Sequence, residues 1–289
     1  MTTAPFDPHQ VRLHRRRARL ADAAFLHDRV ADDLTERLEA VNRTFAHVLV
    51  IGGGDAFKAA VAARPALQDK IGAITTADWA GADALVDPEH LPFAEHSFEL
   101  VVSILALHWV NDLPGALVQI RRALKPDGLF LGSLLGGRTL HELRAVLTMA
   151  ESELRGGAGP RVSPFADALD MAGLLQRAGF ALPVADRDTT TVRYRDPLHL
   201  LRDLRAMGET SALAERSPPL TRAILFRAMA LYAERFGDGG RVTATFDILT
   251  ATGWSPHESQ QKPLRPGSAK TRLADALGVT EQSAGEKPG

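Results

Sequence analysis

An alternation of short apolar runs with helix-like segments over residues 46–134 is the feature that most constrains the fold of this chain. Residues 46–51 (AHVLVI) form an apolar run that ends in three glycines, as a buried parallel strand does before a tight turn. Further elements are predicted in this order: helix 57–63, strand 71–75, strand 98–103, helix 113–124 and strand 129–134. Such an order predicts an α/β fold with a doubly wound parallel sheet and helices on both faces.

The remaining sequence predicts a helical insertion before the last strand. The predicted elements are helix 139–154, helix 167–178, strand 189–195, helices 197–207 and 219–236, and strand 242–250. Met207-Gly208-Glu209 is interpreted as a helix terminus, with Gly208 as the stop. The predicted domain organisation is an N-terminal basic arm and helix (1–43), a sheet core (44–196), a helical lid insert (197–240), a final core strand with a polar turn (241–260) and a partly disordered tail (261–289).

Composition excludes several classes of function. The chain has 289 residues, no cysteine and a formal charge of −1, so thiolate chemistry, Cys-ligated metals and bulk attraction to nucleic acid are not expected. The most apolar segment, 100–110, already contains Ser103 and His108. No membrane span is therefore predicted, because a span needs about 18 unbroken apolar residues.

Residues 9–19 form a local basic arm, with five arginines and no acid. A solvated basic helix face is the favoured interpretation; a targeting peptide and a phosphate-binding arm are the alternatives. The arm runs directly into an amphipathic helix marked by Leu26, Val30, Leu34 and Leu38, which disfavours a transit peptide. A cytoplasmic location is expected.

The glycine turn is the first candidate for a binding site. Gly52, Gly53 and Gly54 follow a strand without a Cβ to obstruct a nucleotide-like cofactor. Asp78 follows the next strand, where an acid accepts hydrogen bonds from ribose hydroxyls. A merely tight strand-to-helix turn is the competing interpretation.

The order of further segments resembles class I S-adenosylmethionine-dependent methyltransferases. These segments are LPF at 91–93, FELVVS at 98–103, LHW at 107–109 and LKPDG at 124–128. The resemblance implies a Rossmann-like methyltransferase sheet and S-adenosylmethionine as cofactor. It also implies that Asp87 and Leu91 flank the adenine, and that Ser103 joins the cofactor site.

Longer motifs resemble the methyltransferase-like assembly factors of respiratory complex I. They include SFELVVSILALHWVNDLPGAL, GGRTLHELR, DLRAMGE and PHESQ, within a likeness that spans about residues 6–273. The resemblance implies a protein partner, the complex I subunit with a terminal iron–sulfur cluster; in mitochondrial members the attributed reaction is arginine hydroxylation. Two alternatives stay open: a malonyl carrier-protein O-methyltransferase of biotin synthesis, and a non-catalytic binding module.

The chain departs from the methyltransferase pattern at two places. Val50 stands where the family has an acid, and Ala56 stands where it has a third glycine. In addition, only about five residues separate Asp78 from the strand-like 84–86, whereas a parallel crossover usually needs a dozen. We expect either that the edge strand is lost or that an extended loop reaches it.

His108, Trp109 and His257 are the candidate catalytic residues. His108 and Trp109 follow an apolar strand, so the imidazole is either a general base facing the substrate or part of a packed strand end. His257 lies in a polar run (HESQ). This run would approach His108 only if the last predicted strand, 242–250, inserts beside the fourth predicted strand, 129–134. No metal site is predicted, because these residues lack ligand spacing.

Overall fold

A single eight-stranded sheet organises the residues that the computed structural model describes, 4–165 and 168–260. Its strands are β1 (Phe45–Ile51), β2 (Ile71–Asp78), β3 (Ala84–Leu85), β4 (Phe98–Ile104), β5 (Leu124–Leu135), β6 (Ala181–Tyr194), β7 (Gly237–Asp238) and β8 (Arg241–Trp254). The order is β3-β2-β1-β4-β5-β8-β6, with β7 paired to β8. Strands β3, β2, β1, β4 and β5 are parallel, and β8 lies antiparallel between β5 and β6.

Helices cover both faces of this sheet. They are α1 (Pro8–Arg17), α2 (Phe25–Glu39), α3 (Gly54–Ala62), α4 (Pro65–Gln68), α5 (Leu113–Ala123), α6 (His141–Arg155), α7 (Ala168–Arg177), α8 (Pro197–Met207) and α9 (Arg222–Phe236). One apolar core contains residues of α2, α3, α6, α8 and α9, and the other contains residues of α1, α5 and α7. The predicted α/β architecture with two helical layers is confirmed.

Two segments differ from the sequence-based expectation. Strand β6 begins at Ala181 rather than near Thr189, because backbone pairing with β8 continues along a half-exposed, polar edge that has little apolar signal. The basic arm does not run straight into the next helix: a 3-10 turn over Leu20–Asp22 separates α1 from α2.

Residues 4–256 belong to one compact unit, and a second unit begins at His257. Of the second unit only 257–260 are described, so the predicted tail, 261–289, lies wholly outside the described residues. Within the described part, no helix has both the length and the apolarity to cross a bilayer.

Candidate functional site

The glycine turn connects β1 to α3 at the carboxyl edge of the sheet. Gly52 and Gly53 take positive φ values of 71° and 58°. A Cβ on Gly52 would lie 2.6 Å from the carbonyl oxygen of Ile104, and one on Gly54 would lie 2.5 Å from Cγ2 of Thr76. The three glycines are thus required by the chain's own packing between the ends of β2 and β4.

Asp78 ends β2 on the other side of this turn. Its carboxylate accepts a hydrogen bond of 2.6 Å from the backbone nitrogen of Trp79. Burial raises the pKa of Asp78, and the nearby Arg15 guanidinium acts in the opposite direction. Asp78 and the glycines line one cavity of about 280 Å³, here called the small cavity. The structure therefore brings these four predicted residues together.

The other predicted cofactor residues do not line the small cavity. Asp87 accepts a hydrogen bond from the backbone nitrogen of Glu89, and the backbone nitrogen of Leu91 donates to Oε1 of Gln119. Ser103 is fully buried within β4, and its hydroxyl makes no hydrogen bond. Their proposed contact with a cofactor stays a prediction.

An extended loop replaces the usual crossover helix between β2 and β3. Strand β3 keeps its parallel place beside β2, with Ala77 paired to Ala84. Asp83 fastens the loop to the sheet, since its Oδ2 accepts hydrogen bonds from the backbone nitrogen and hydroxyl of Thr76, at 2.9 and 2.8 Å. Residues 80–82 of this loop wall the small cavity. Of the two expected outcomes, the extended loop is the correct one.

A buried carboxylate, Glu209, lies at the centre of the site. It directly follows Gly208, the predicted helix stop, which ends α8 with φ of 79°. Its Oε2 accepts hydrogen bonds from Nε2 of His108 at 2.9 Å and from Nε1 of Trp109 at 3.1 Å. Burial alone would raise the pKa of Glu209, but the charges and hydrogen bonds around it, chiefly from His108, lower it to about 2.

Arg15 reaches Glu209 from the N-terminal helix. Its Nη2 lies 3.4 Å from Oε1 of Glu209 and also donates to the carbonyl oxygen of Leu105. The guanidinium packs over the ring of Trp79, 5.8 Å from its centroid. The Arg15 side chain is only 6% exposed, so the prediction of a solvated basic face is wrong at this position, because a buried carboxylate pairs with it.

His27 of α2 completes what we call the Glu209 cluster: Arg15, His27, His108, Trp109 and Glu209. Burial and the charge of Arg15 lower the pKa of His27 to about 3, so its ring is neutral at pH 7. Among the described residues, eight buried side-chain atoms lack a hydrogen bond, and five are in this cluster: two on His27 and one each on Arg15, His108 and Glu209. Such a concentration is unusual in a purely structural core.

A larger cavity of about 530 Å³ lies against Glu209, and we call it the apolar cavity. Leu143 and Leu147 of α6, Leu204 of α8 and Phe165 contribute apolar walls. The ring of Phe165 meets that of His108 edge-on, with centroids 5.9 Å apart. Exposed residues such as Leu220 form its outer part, whereas Glu209 is 8% exposed. The cavity thus leads from the surface to a buried carboxylate.

The predicted catalytic residues belong to different units of the chain. His108 and Trp109 are buried in a 3-10 turn after β4 and belong to the Glu209 cluster. Strand β8 does insert beside β5, as expected. His257 belongs to the second unit, where its Nδ1 lies 2.7 Å from the Ser259 hydroxyl. Its catalytic role stays a prediction.

Comparison with known proteins agrees with this fold. A methyltransferase-domain family model matches residues 49–132. The chain is 41% identical to the mitochondrial arginine-hydroxylase NDUFAF5 of Danio rerio, over 87% of this chain and 81% of that protein. It is 35% identical to the malonyl-[acyl-carrier protein] O-methyltransferase of Halorhodospira halophila, over 84% of this chain and 86% of that protein.

A solved structure, the YcgJ protein of Bacillus subtilis, shares the fold with a TM-score of 0.50 at 14% identity, covering 78% of this chain and 98% of that one. The fold and the glycine-turn site define a class I methyltransferase-like protein. The chain belongs to the family of NDUFAF5-type methyltransferase-like proteins, and the resemblance expected from the sequence is confirmed.

Proposed function

We propose that this protein binds S-adenosylmethionine in the small cavity and modifies a protein subunit of complex I, the NADH:quinone oxidoreductase, during its assembly. The observation that carries the proposal is the juxtaposition of the glycine turn with Asp78 in one cavity, in a chain 41% identical to an arginine-hydroxylase. The expected target is an arginine of the iron–sulfur subunit. The names of the NDUFAF5 relatives describe them as mitochondrial. For this chain we propose a cytoplasmic location.

The side chains around the small cavity fit this cofactor in charge and hydrogen bonding. The Asp78 carboxylate would hold the ribose hydroxyls, as acids at the end of the second strand do in dinucleotide-binding folds. Val50 is fully buried and offers no carboxylate. Asp55 lines the cavity and would interact with the positive charge at the amino-acid end of the cofactor. Arg15, on the same wall, would pair with a carboxylate. S-adenosylmethionine supplies an electrophilic methyl group when it is bound.

The Glu209 cluster forms the partner-facing part of the proposed site. His108 has Nε2 committed to Glu209 and keeps Nδ1 free of hydrogen bonds, so Nδ1 is the nitrogen that would exchange a proton. Trp109 donates to the same carboxylate and fixes its orientation. Helix α8 contributes Leu204 and Arg205 to the apolar cavity, which supports the 197–240 segment as a substrate-selecting lid.

Calorimetric titration tests the cofactor part of the proposal. The wild-type protein should bind S-adenosylmethionine and S-adenosylhomocysteine with a Kd on the order of micromolar, and Asp78→Asn should weaken binding by at least about tenfold, since it removes a charged acceptor. Asp69→Asn, at an exposed site after α4, is the matched control and should leave binding unchanged. Absence of binding at millimolar ligand would favour the non-catalytic binding module.

A genetic experiment tests the target. Deletion of the gene should reduce complex I activity, and the captured iron–sulfur subunit should differ in intact mass between the two strains. Rescue of a biotin auxotroph is the discriminating control, because the chain is also 35% identical to a malonyl carrier-protein methyltransferase. Rescue of biotin synthesis with intact complex I would contradict the proposal.

A further inference from the structure

The two oxygens of Glu209 are used unequally. Oε2 accepts two hydrogen bonds, from His108 and Trp109. Oε1 is buried and accepts none; its nearest cation, Nη2 of Arg15, lies 3.4 Å away and makes its hydrogen bond to the Leu105 carbonyl instead. A buried carboxylate oxygen without a donor is costly, so Glu209 has a place for one more hydrogen-bond donor.

The charges near Oε1 favour a cationic donor. Arg15 is the permanent cation of this region, and it faces two carboxylates, Asp78 and Glu209, which both interact with it electrostatically. His27 adds no positive charge at pH 7, because its pKa is lowered to about 3. His108 also lowers the pKa of Glu209, but it contacts Oε2, so a donor at Oε1 would meet an ionised carboxylate. A cationic donor forms the stronger hydrogen bond with such an oxygen.

The walls of the apolar cavity define the rest of the occupant. Its inner surface is lined by Leu143, Leu147 and Leu204 of α6 and α8, and its outer part includes the exposed Leu220 and Glu215. Three arginines also line it: Arg161 pairs with Glu151, Arg216 pairs with Asp7, and Arg205 is exposed to solvent. Long basic side chains bury an aliphatic stem along apolar surface and carry the charge at the tip. The cavity offers an apolar passage for such a stem, with a carboxylate at its buried end.

We propose that Glu209 is the recognition residue for a basic side chain of the partner protein, which enters through the apolar cavity and donates to Oε1. This inference rests on the proposed function and deepens it, because it assigns the residue and the route by which the target side chain is bound. Glu209 acts here as a specificity-determining residue. His108 and Trp109 position it from the opposite oxygen.

The experiment compares two small probes that have nearly the same shape and differ in charge. N-acetyl-arginine N-methylamide and its citrulline counterpart are titrated into wild-type protein, with binding followed by NMR chemical shifts. The arginine probe should bind at least about tenfold more tightly than the neutral probe, as expected for a charge-assisted hydrogen bond. Equal binding of the two probes would overturn the proposal.

Three variants locate the binding. Glu209→Gln should weaken binding of the arginine probe by at least about tenfold, whereas Glu36→Gln, which removes the same charge at an exposed position of α2 outside both cavities, should change it by less than about twofold. Val162→Trp places a bulky ring on the half-buried cavity wall and leaves Glu209 in the chain. It should abolish binding, and it keeps the inference testable if Glu209→Gln does not fold. Arginine binding that survives both Val162→Trp and a folded Glu209→Gln would refute the inference.

The same samples separate this inference from the cofactor proposal. Asp78→Asn should lose S-adenosylhomocysteine binding and keep the arginine probe, and Val162→Trp should do the reverse. If S-adenosylhomocysteine fails to bind while the charge-selective arginine binding remains, the proposed cofactor is wrong and the role of Glu209 stands. If S-adenosylhomocysteine binds and the arginine probe does not, the role proposed for Glu209 is refuted and the cofactor proposal stands.

Discussion

The two cavities on either side of the Arg15–Glu209 pair are built in different ways. The small cavity is formed mostly by local pieces, the glycine turn after β1 and the end of β2 with its following loop. The apolar cavity is assembled from α6, α8 and the segments near residues 160–165 and 210–220, which are distant in sequence. The sheet topology supplies the first, and helices and loops that pack together outside the sheet supply the second.

This difference indicates which of the two cavities determines the specificity for the partner protein. Ends of neighbouring parallel strands meet at one edge of a doubly wound sheet, so the small cavity follows from topology. The apolar cavity depends on the pairing of Arg15 of α1 with Glu209, the second residue after α8, and only tertiary packing creates this pair. We therefore expect changes at the Arg15–Glu209 pair to affect the whole molecule, and changes in the glycine turn to remain local.

The largest effect is expected from Arg15→Met. Removal of one partner leaves Glu209 with a buried charge that lacks its permanent counter-ion, which costs about 3–5 kcal/mol of unfolding free energy in comparable buried pairs. The measurement is urea unfolding followed by circular dichroism at pH 7.

Arg12→Met is the matched control, since Arg12 lies on the same helix and is exposed. It should change the unfolding free energy by no more than about 0.5 kcal/mol. Equal effects of the two substitutions would mean that the Arg15–Glu209 pair does not hold α1 against the sheet.

The second prediction compares the stability cost of alanine at two glycines of the small cavity, both of which have positive φ. Gly52→Ala places a Cβ 2.6 Å from the Ile104 carbonyl oxygen, whereas Gly81→Ala places one in open space. Left-handed backbone strain costs both variants about 1–2 kcal/mol, and overpacking adds about 1–3 kcal/mol at Gly52 only. The difference in unfolding free energy between the variants measures this packing cost, and a difference near zero would contradict the observed close approach.

The sequence predicts the local half of the site well. Gly52, Gly53, Gly54 and Asp78 each follow an apolar strand, so the pattern that predicts the strands also places these residues at one edge. The same reasoning locates the short connection after Asp78, although the Asp83–Thr76 contacts that fasten it have no sequence signature.

The sequence does not predict the non-local half. Glu209 follows a helix stop and Arg15 lies among other arginines, and in both places an exposed polar residue is the ordinary expectation. Only His27 carries a signal, because it falls beside Leu26 on the apolar side of α2, where a histidine is out of place. The burial of all three results from contacts between segments that are distant along the chain.

The smallest effect tests the burial of His27 beside the Arg15–Glu209 pair, through the pH dependence of stability. His27 has a pKa of about 3 in the folded protein and 6.5 as the ordinary value, so below pH 6.5 the unfolded state takes up a proton that the folded state does not. Stability should therefore fall as pH decreases, with His27 contributing about 1.4 kcal/mol per pH unit, or about 2 kcal/mol between pH 6.5 and pH 5.

Glu209 adds little in this window, because its folded pKa of about 2 and its ordinary value of 4.5 both lie lower. His27→Leu should remove the share of the slope that comes from His27, while His14, whose pKa is also lowered by burial, keeps its own share. His9→Leu, at an exposed imidazole on α1, should retain the full slope. A slope unchanged in His27→Leu would mean that the folded protein does not keep the His27 ring neutral in this pH range.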